Sequence, residues 1–405
     1  MSWPFSRRLD WTLAENRLAR AEEAARRRPG FVDLTISNPT LPELGLPDAS
    51  PALGQALARH PAGVYAPASA GAPSAREAVA ALHRAAGHDL VDAGRIVLTA
   101  SSSESYALLF KLLADPGDAV LVPAPSYPLF DYLVRLEGLT PISYRSSYQP
   151  PGNWQLDTDS LDAAAETAAR HSRRVAAIIT VNPNNPTGAA LDDDEAAALE
   201  QRCAVHRAAL IADEVFGDFV RRAPSAHVAC MAARPTQVPT FSLGGLSKSC
   251  GLPQLKVGWI ALGGPVEWLG ETRARLELVA DTYLSVNGPA QAALPELLQL
   301  GALTRAAIQA RLLENESLLK KTFDARTAVS VLRGHGGWSA ILRLPATRSD
   351  EDWALALLQE EGVLAQPGFF FDLEGGTFLV VSLLPAPRVF GTGIDRLAAL
   401  VARHD

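Results

Sequence analysis

Cysteine is scarce in this chain, which has only Cys203, Cys230 and Cys250 among its 405 residues. An odd number of cysteines without a C-x-x-C pair indicates neither a disulfide framework nor a zinc site. We therefore expect reduced thiols, a cytoplasmic location and no bound metal.

Long apolar runs and long basic runs are also missing. No 18 consecutive residues are free of glycine, proline and charge, and the opening MSWPFSRRLDW lacks the apolar centre of a signal peptide. We expect a chain that is neither exported nor inserted in a membrane. The formal net charge is −7 and no run of lysines and arginines is long enough to suggest a nucleic-acid surface, so we expect a small-molecule partner and no nucleic acid.

The composition that is present, 48% hydrophobic and 20% charged, is typical of a soluble globular protein. A length of 405 residues exceeds what one small core supports, so we expect two domains. We predict a large domain over residues 45–290. The small domain would be formed by residues 1–44 together with residues 291–405.

Short apolar segments alternate with helical segments in the middle of the chain. The predicted strands are residues 95–100, 120–125, 175–182, 209–216 and 240–244, and the predicted helices are residues 73–86, 104–114, 128–137 and 192–208. Apolar strands separated by helices favour an α/β fold with a mostly parallel sheet between helices.

The two ends of the chain have a different pattern, which indicates a smaller α+β domain. Here we predict helices over residues 11–28, 350–361 and 392–403, a long helical stretch over residues 262–325, and strands over residues 31–37, 328–333, 338–344 and 378–384.

Polar residues follow the apolar segments, and in an open parallel sheet ligands bind past the carboxyl ends of the strands. Ser101, Ser102 and Ser103 follow the segment at residues 95–100, directly before a helix. Amide and hydroxyl donors at a helix N-terminus can bind a phosphate. The ordinary alternative is that one serine caps the helix.

Three further segments end in residues that could bind a planar cofactor. Tyr127 could stack on an aromatic ring, or pack in the core as most tyrosines do. The NPNNPTG turn at residues 182–188 fixes an irregular backbone that positions the Asn185 amide. Asp213 ends a buried strand, where a carboxylate is costly unless it faces a cation such as a pyridinium nitrogen. Glu214 is expected to point outward, to solvent or to a basic group.

Lys248 lies between two serines, after the strand at residues 240–244 and before a loop with glycine and proline. A lysine in a loop is most often a surface charge. The functional alternative is an amine that forms a Schiff base with an aldehyde cofactor, because partial desolvation lowers the pKa of an amine and makes it nucleophilic.

Seven motifs occur in a fixed order: VYAP, SSSE, PSYP, NPNNPTG, ADEVF, GLSK and LKVGW. This order resembles the class I/II pyridoxal-phosphate-dependent aminotransferases of fold type I, and the resemblance covers nearly the whole chain. It implies a homodimeric transferase with pyridoxal 5'-phosphate as cofactor. It also implies movement of an amino group between an amino acid and a 2-oxo acid.

The resemblance further implies a role for each motif residue. Lys248 would form the Schiff base and later move the proton, while Asp213 would keep the pyridine nitrogen protonated. Tyr127 would stack on the ring and Asn185 would bond its phenolic oxygen. The phosphate would be bound by Ser101, Ser102, Ser103, Ser247 and Lys256, and by Tyr65 lent across the dimer interface.

Three positions depart from the family pattern. Phe216 stands where a tyrosine usually bonds the phenolic oxygen, and Lys256 stands where arginine usually grips the phosphate with two bonds. Val380, two residues before Ser382, stands where an arginine usually binds the substrate α-carboxylate. We expect substitutes for that arginine among Arg343, Arg388, Ser37 and Asn38, although either arginine could be a solvated surface charge.

Two other functions stay open on the sequence alone. A lyase, decarboxylase or cyclising synthase would use the same cofactor for a different reaction. The absence of the carboxylate-binding arginine at Val380 is a reason to consider this alternative. A cofactor-binding regulator is the second alternative, but the short N-terminal segment leaves no room for a DNA-binding module.

Overall fold

The computed structural model describes residues 5–11, 16–47, 50–58, 65–150, 152–323 and 327–404. Its helices are α1 (Arg17–Arg26), α2 (Ser50–Ala58), α3 (Pro73–Ala85), α4 (Ser102–Leu113), α5 (Leu129–Leu136), α6 (Thr158–Arg170), α7 (Asp193–His206), α8 (Leu246–Ser249), α9 (Val266–Asp281), α10 (Gly288–Thr322), α11 (Asp350–Glu361) and α12 (Pro387–His404).

The strands fall into three sheets. They are β1 (Val32–Asp33), β2 (Ile96–Thr99), β3 (Ala119–Ala124), β4 (Thr140–Tyr148), β5 (Trp154–Leu156), β6 (Val175–Val181), β7 (Ala209–Asp213), β8 (Thr240–Gly245), β9 (Gly258–Gly263), β10 (Ser330–Leu332), β11 (Ser339–Leu344), β12 (Val363–Leu364), β13 (Gln366–Pro367) and β14 (Thr377–Ser382).

The large sheet has the strand order β2-β9-β8-β7-β6-β3-β4-β5. The five strands from β8 to β4 are parallel, while β9 and β5 run the other way. Every residue of β3, β6 and β7 is buried, because helices cover both faces of the sheet. The carboxyl ends of β2, β3, β6, β7 and β8 therefore lie along one edge, where the polar segments follow them.

The small sheet, β10-β11-β14-β13, is antiparallel, and β1 pairs with β12 beside it. Its core is built on Trp353, Leu357, Phe390 and Leu397 of helices α11 and α12, which are buried. The predicted α/β fold is confirmed: a large, mostly parallel sheet lies between helices, next to a smaller domain with an antiparallel sheet.

Helix α10 contributes to the cores of both parts of the molecule. Ala293 and Leu297 pack with the residues of α3 and β9, whereas Ile308 and Leu312 pack with those of α11 and α12. The packing of this helix thus changes between residues 297 and 308, past the predicted domain boundary at residue 290. The domain division itself stays a prediction.

Several predicted elements have other bounds than the sequence indicated. The strand predicted over residues 209–216 ends at Asp213, because the carboxylate of Asp213 accepts a hydrogen bond from the Val215 N–H and turns the chain. The helical stretch at residues 262–325 is two helices, α9 and α10. Residues 12–15 of the helix predicted over residues 11–28, and Val64 of the VYAP motif, lie outside the described residues.

Strands β4, β5 and β9 were not predicted. The sequence of β4, TPISYRSSY, is mostly polar and contains a proline, and β9 begins and ends with glycine. Within the described part of the chain, none of the helices combines the length and apolar composition that a membrane crossing requires.

Candidate active site

A cavity of about 420 Å³ lies at the edge where the parallel strands end. It is lined by residues from nine segments, among them every cofactor-binding candidate except Tyr65: Ser101, Ser102, Ser103, Tyr127, Asn185, Asp213, Ser247, Lys248 and Lys256. These residues span more than 150 positions of the sequence, and the fold brings them together at one cavity.

Lys248 projects from α8, a single helical turn that directly continues β8. Its Nζ lies 5.0 Å from the centroid of the Trp338 ring and 5.5 Å from that of Phe216. Burial lowers the pKa of Lys248 below its usual 10.5, and the nearby negative charge of Asp213 offsets part of this shift. An amine in this environment is more readily neutral, which is the nucleophilic form.

The turn that carries Lys248 needs glycine at two places. A Cβ at Gly245 would lie 3.1 Å from the Val257 carbonyl oxygen, and one at Gly258 would lie 3.2 Å from the backbone of Ser101. Strand β9 therefore passes close to both the lysine turn and the serine segment. This close approach is a physical reason for the glycines of the GLSK and LKVGW motifs.

Asp213 ends strand β7 and is 8% exposed. Its carboxylate accepts hydrogen bonds from the Tyr106 hydroxyl at 3.0 Å and from the Val215 N–H at 3.2 Å. Burial raises the pKa of Asp213 to about 6, although both hydrogen bonds and Lys248 act to lower it. Such a carboxylate would gain from a cation placed against it.

The three serines form the first turn of α4. Ser101 is the N-cap, and its Oγ accepts a hydrogen bond from the Glu104 N–H at 3.2 Å. Ser102 and Ser103 follow it and also line the cavity. Lys256, which adopts a left-handed conformation with φ of 54°, lines the same cavity. Donors at a helix N-terminus next to an ammonium group can bind an anion such as phosphate.

Asn185 lies in a turn that is hydrogen-bonded to another part of the chain. Its side-chain oxygen accepts a hydrogen bond from the Ser339 hydroxyl at 3.0 Å. Gly188 closes the turn with φ of 68°, and its carbonyl oxygen accepts hydrogen bonds from the N–H groups of His335 at 2.8 Å and Gly336 at 2.9 Å. The backbone thus ties the Asn185 turn to the loop that leads into Trp338.

The sequence did not indicate several of the lining residues. Tyr106 bonds Asp213 from α4, and its spacing of three residues from Ser103 on a helix is a signal that could have found it. Trp338, Ser339, Gln366 and Phe371 come from the small domain, and no pattern near them in the sequence points to a ligand. Phe216 lines the cavity and contacts Trp338 edge-on, with 5.5 Å between ring centroids.

The substrate-binding candidates are only partly brought to the cavity. Ser37 and Ser382 line it, whereas Asn38 instead accepts hydrogen bonds from Thr40. Arg343 is exposed and stacks on Phe378 at 5.4 Å from the ring centroid, outside the cavity lining. Arg388 is exposed at the start of α12 and lies outside the lining as well.

Val380 does not open into the cavity either. It is 1% exposed and packs in an apolar cluster with Trp154, Ile341 and Phe371. Among the described lining residues, the cationic side chains are Lys248 and Lys256. No guanidinium group of the described residues therefore lines this cavity.

Glu214 faces away from the cavity but does not point to solvent or to a basic group, contrary to the sequence-based expectation. Its Oε1 accepts hydrogen bonds from the Met231 N–H at 2.7 Å and from the Ser242 hydroxyl at 2.9 Å. Desolvation raises the pKa of Glu214 to about 8 despite these bonds. This side chain should be neutral over most of the physiological pH range.

The raised pKa of Glu214 predicts a pH-dependent stability. Between pH 4.5 and about 8 the folded cofactor-free protein keeps a proton that the unfolded chain releases, so this contribution is complete below pH 4.5 and is lost as pH rises toward 8. The slope is at most about 1.4 kcal/mol per pH unit. Glu214→Gln keeps the acceptor oxygen and should flatten the dependence of the unfolding free energy on pH.

The measurement is denaturant unfolding of wild type and Glu214→Gln at several values between pH 5 and pH 8. Glu23→Gln on the exposed face of α1 is the control, and it should follow wild type. Parallel profiles for wild type and Glu214→Gln would show that this carboxyl group does not hold the proton.

Tyr65 lies away from the cavity that holds Lys248. It is 83% exposed and lines a separate surface cavity of about 500 Å³ with Tyr283, Gly288 and Gln291. A side chain with this exposure can contact another molecule.

Comparisons with known proteins identify the family of this chain. The family model for aminotransferase class I and II matches residues 29–385. An alanine aminotransferase of Mycobacterium tuberculosis is 28% identical over 347 residues, which cover 83% of this chain and 78% of that protein. The S-alkyl-thiohydroximate lyase SUR1 of Arabidopsis thaliana is 25% identical over 357 residues, covering 84% of this chain and 73% of that protein.

The fold is likewise shared with solved structures. The crystal structure of an alanine aminotransferase from Pyrococcus furiosus superposes with a TM-score of 0.81 at 24% identity, over 99% of this chain and 100% of that chain. The match of the family model covers most of the chain and includes every motif at the cavity. This chain therefore belongs to the class I and II aminotransferase family and is an aminotransferase.

Proposed function

We propose that this aminotransferase uses pyridoxal 5'-phosphate, bound through Lys248, to move an amino group between an amino acid and a 2-oxo acid. The observation that carries the proposal is that the Lys248 amine and the Asp213 carboxylate open into one cavity, beside the N-terminus of α4. The two groups that the cofactor chemistry needs are thus present together with an anion site.

The chemistry of the cavity walls fits this cofactor. Asp213 is a buried carboxylate with two hydrogen bonds and a raised pKa, so a pyridinium nitrogen would supply the cation that it lacks. Ser101, Ser102, Ser103, Ser247 and Lys256 offer hydroxyl, amide and ammonium donors for a phosphate. Tyr127, half exposed on the cavity wall, offers an aromatic face for a planar ring.

Each residue then has a definite task. The cofactor, when bound, withdraws electrons from the carbon that bears the substrate nitrogen. Lys248 would move the proton between that carbon and the C4′ carbon of the cofactor, and burial lowers its pKa and so favours the neutral amine that can accept a proton. Asp213 holds the positive charge on the ring nitrogen. Phe216 and Trp338 pack beside the Lys248 amine and exclude water from it.

The lining also supports a preference among amino acids. Within the described residues, the cavity's two cationic side chains are both assigned to the cofactor, and Leu129, Phe216, Trp338 and Phe371 add apolar surface. A second carboxylate, as in glutamate or aspartate, would be desolvated without a charged partner. We therefore propose that the substrate side chain is apolar. The α-carboxylate would be met by neutral donors such as the Asn185 amide and the Ser37 and Ser382 hydroxyls.

Tyr65 supports the proposal of a homodimer. Its phenol is exposed and distant from the chain's own cavity lining, so it could reach the phosphate of a partner subunit. Light scattering coupled to size-exclusion chromatography would give the mass in solution. A mass of one chain at micromolar concentration would refute this part of the proposal. We also propose a cytoplasmic location, because the three cysteines are free and buried.

The test of the proposed function is a single half-reaction on the cofactor-loaded enzyme. Addition of leucine or phenylalanine should convert the cofactor absorbance to that of its amine form, and a 2-oxo acid should reverse the change. Glutamate and aspartate should do so at least about tenfold less efficiently, as expected when a charge is buried unpaired. Release of carbon dioxide or ammonia without the amine form would instead identify a lyase or decarboxylase.

A further inference from the structure

Two histidines meet at the C-terminal end of helix α3, outside the cavity lining. The His88 N–H donates to the His83 carbonyl oxygen and the Gly87 N–H donates to that of Arg84, both at 2.9 Å, and Gly87 has φ of 82°. These bonds form a Schellman motif, in which the side chains at the positions of His83 and His88 contact each other. Their ring centroids are 5.7 Å apart.

That contact is usually made by two apolar side chains, so a pair of imidazoles is unexpected. His83 Nε2 and His88 Nδ1 are both buried, and neither has a hydrogen-bond partner among the described residues. Buried polar atoms without partners are rare and often mark an ion or a water.

A cysteine from a distant part of the chain completes the cluster. Cys230 precedes a helical turn at Met231–Ala233 and is buried, and its Sγ lies 3.9 Å from His83 Nδ1. One possible ligand atom from each of His83, His88 and Cys230 lies within 4.8 Å of the other two. Ligand atoms of a tetrahedral zinc site with these bond lengths are about 3.3–3.6 Å apart, so small side-chain rotations would close the site.

We propose that His83, His88 and Cys230 bind one zinc ion, with water as the fourth ligand. Two neutral imidazoles and a thiolate are a donor set that suits this borderline-soft cation. On binding, the Cys230 thiol releases its proton to solvent and a sulfur–zinc bond forms, without any change of oxidation state. The candidate cation site is empty in this structure.

The Cys230 thiol is part of a hydrogen-bonded network. Its S–H donates to Ser242 Oγ at 3.6 Å, and Ser242 Oγ also accepts a hydrogen bond from the Ala232 N–H at 2.9 Å and donates to Glu214 at 2.9 Å. Glu214 directly follows Asp213, so this network joins the proposed metal site to the strand that carries the cavity's carboxylate. The zinc ion would pin the end of α3 to the segment packed behind β7.

We expected no metal because the sequence has no C-x-x-C pair. That criterion could not detect this site. His83 and His88 are brought together by the turn at Gly87, and Cys230 is added by the packing of a segment far along the chain. Neither a turn type nor a tertiary contact is part of the usual zinc spacing patterns.

The experiment uses the full-length, cofactor-loaded enzyme, equilibrated with zinc chloride and then dialysed. Metal analysis should find about one zinc per chain, and zinc-edge X-ray absorption should show one sulfur near about 2.3 Å and two nitrogens near about 2.0–2.1 Å. Cys230→Ser and His88→Leu should each lower zinc affinity at least about tenfold, the usual cost of disturbing a ligand shell. Leucine suits the Schellman contact, so His88→Leu should fold.

The matched control is Cys203→Ser, which changes another buried thiol in helix α7 and should keep its zinc. Cofactor absorbance reports the fold of each variant. Wild-type protein without bound zinc, an absorption spectrum without a sulfur ligand, or full zinc retention in both Cys230→Ser and His88→Leu would overturn the proposal. Because these results do not involve transamination, they are independent of the proposed function.

Discussion

Replacing Lys248 with alanine should lower kcat/KM at least about 10⁴-fold, because one side chain supplies both the nucleophile and the proton-transfer group. The Lys248 amine lies against Trp338 and Phe216 and has a lowered pKa. No other lysine of the described lining shares this environment. Lys256, the other lysine of the described lining, is exposed, and we propose that it binds the phosphate instead. Steady-state kinetics with the preferred amino acid measures the loss.

A second measurement separates a lost bond from a lost fold. Wild-type enzyme treated with borohydride should retain the cofactor covalently on the peptide that contains Lys248, and Lys248→Ala should retain none while melting at a similar temperature. Lys321→Ala, on the exposed end of helix α10, is the control and should behave as wild type. Covalent cofactor on another lysine, or activity within tenfold of wild type, would contradict the assignment.

Asp213→Asn should lower turnover about 10³-fold while the cofactor still binds, since the substitution keeps the size of the side chain and removes its charge. The Val215 N–H bonds one carboxylate oxygen and the Tyr106 hydroxyl bonds the other. In the asparagine variant the carbonyl oxygen can still accept from the Val215 N–H, and the amide NH2 can donate to the Tyr106 hydroxyl oxygen, so the strand end should keep its shape. Without a negative charge, the ring nitrogen is no longer held protonated and the electron-withdrawing effect is lost. Single-turnover kinetics with an amino acid would measure the step directly.

Asp218→Asn provides the control for Asp213→Asn. Asp218 is an exposed carboxylate that faces Arg305 at 3.6 Å outside the cavity lining. Its loss should leave turnover within a few-fold of wild type. Near-normal turnover in Asp213→Asn, or an equal loss in both variants, would show that the charge of Asp213 is not what supports the reaction.

Much of the candidate site could be predicted from the sequence because its residues lie just past buried strands. Asp213 and Lys248 follow β7 and β8, whose apolar sequences are short and unambiguous, and the Asn185 turn follows β6. Once the strands are parallel neighbours, their carboxyl ends must meet at one edge. The order of the motifs along the chain therefore predicts that their residues lie close together. It does not predict the distances between them or how deeply each is buried.

The far wall of the cavity could not be predicted in this way. Trp338 and Ser339 come at the start of an antiparallel strand, and their position depends on backbone bonds to Gly188, about 150 residues earlier. Arg343 was a reasonable candidate by residue type, but in β11 it pairs across the sheet with Phe378 and stacks on that ring instead. Side-chain direction along a strand depends on register, which a single sequence fixes poorly.

The bonds between the Asn185 turn and the loop at residues 335–337 bear on how the substrate range could be altered by protein engineering. The Gly188 carbonyl oxygen accepts hydrogen bonds from two backbone N–H groups, and a Cβ at Gly188 would collide with Gly336, so most of this junction is made by the backbone. The Ser339 hydroxyl adds one side-chain bond, to Asn185. Libraries that vary Trp338 and Phe371 while sparing these glycines and Ser339 should therefore diversify selectivity and keep these bonds.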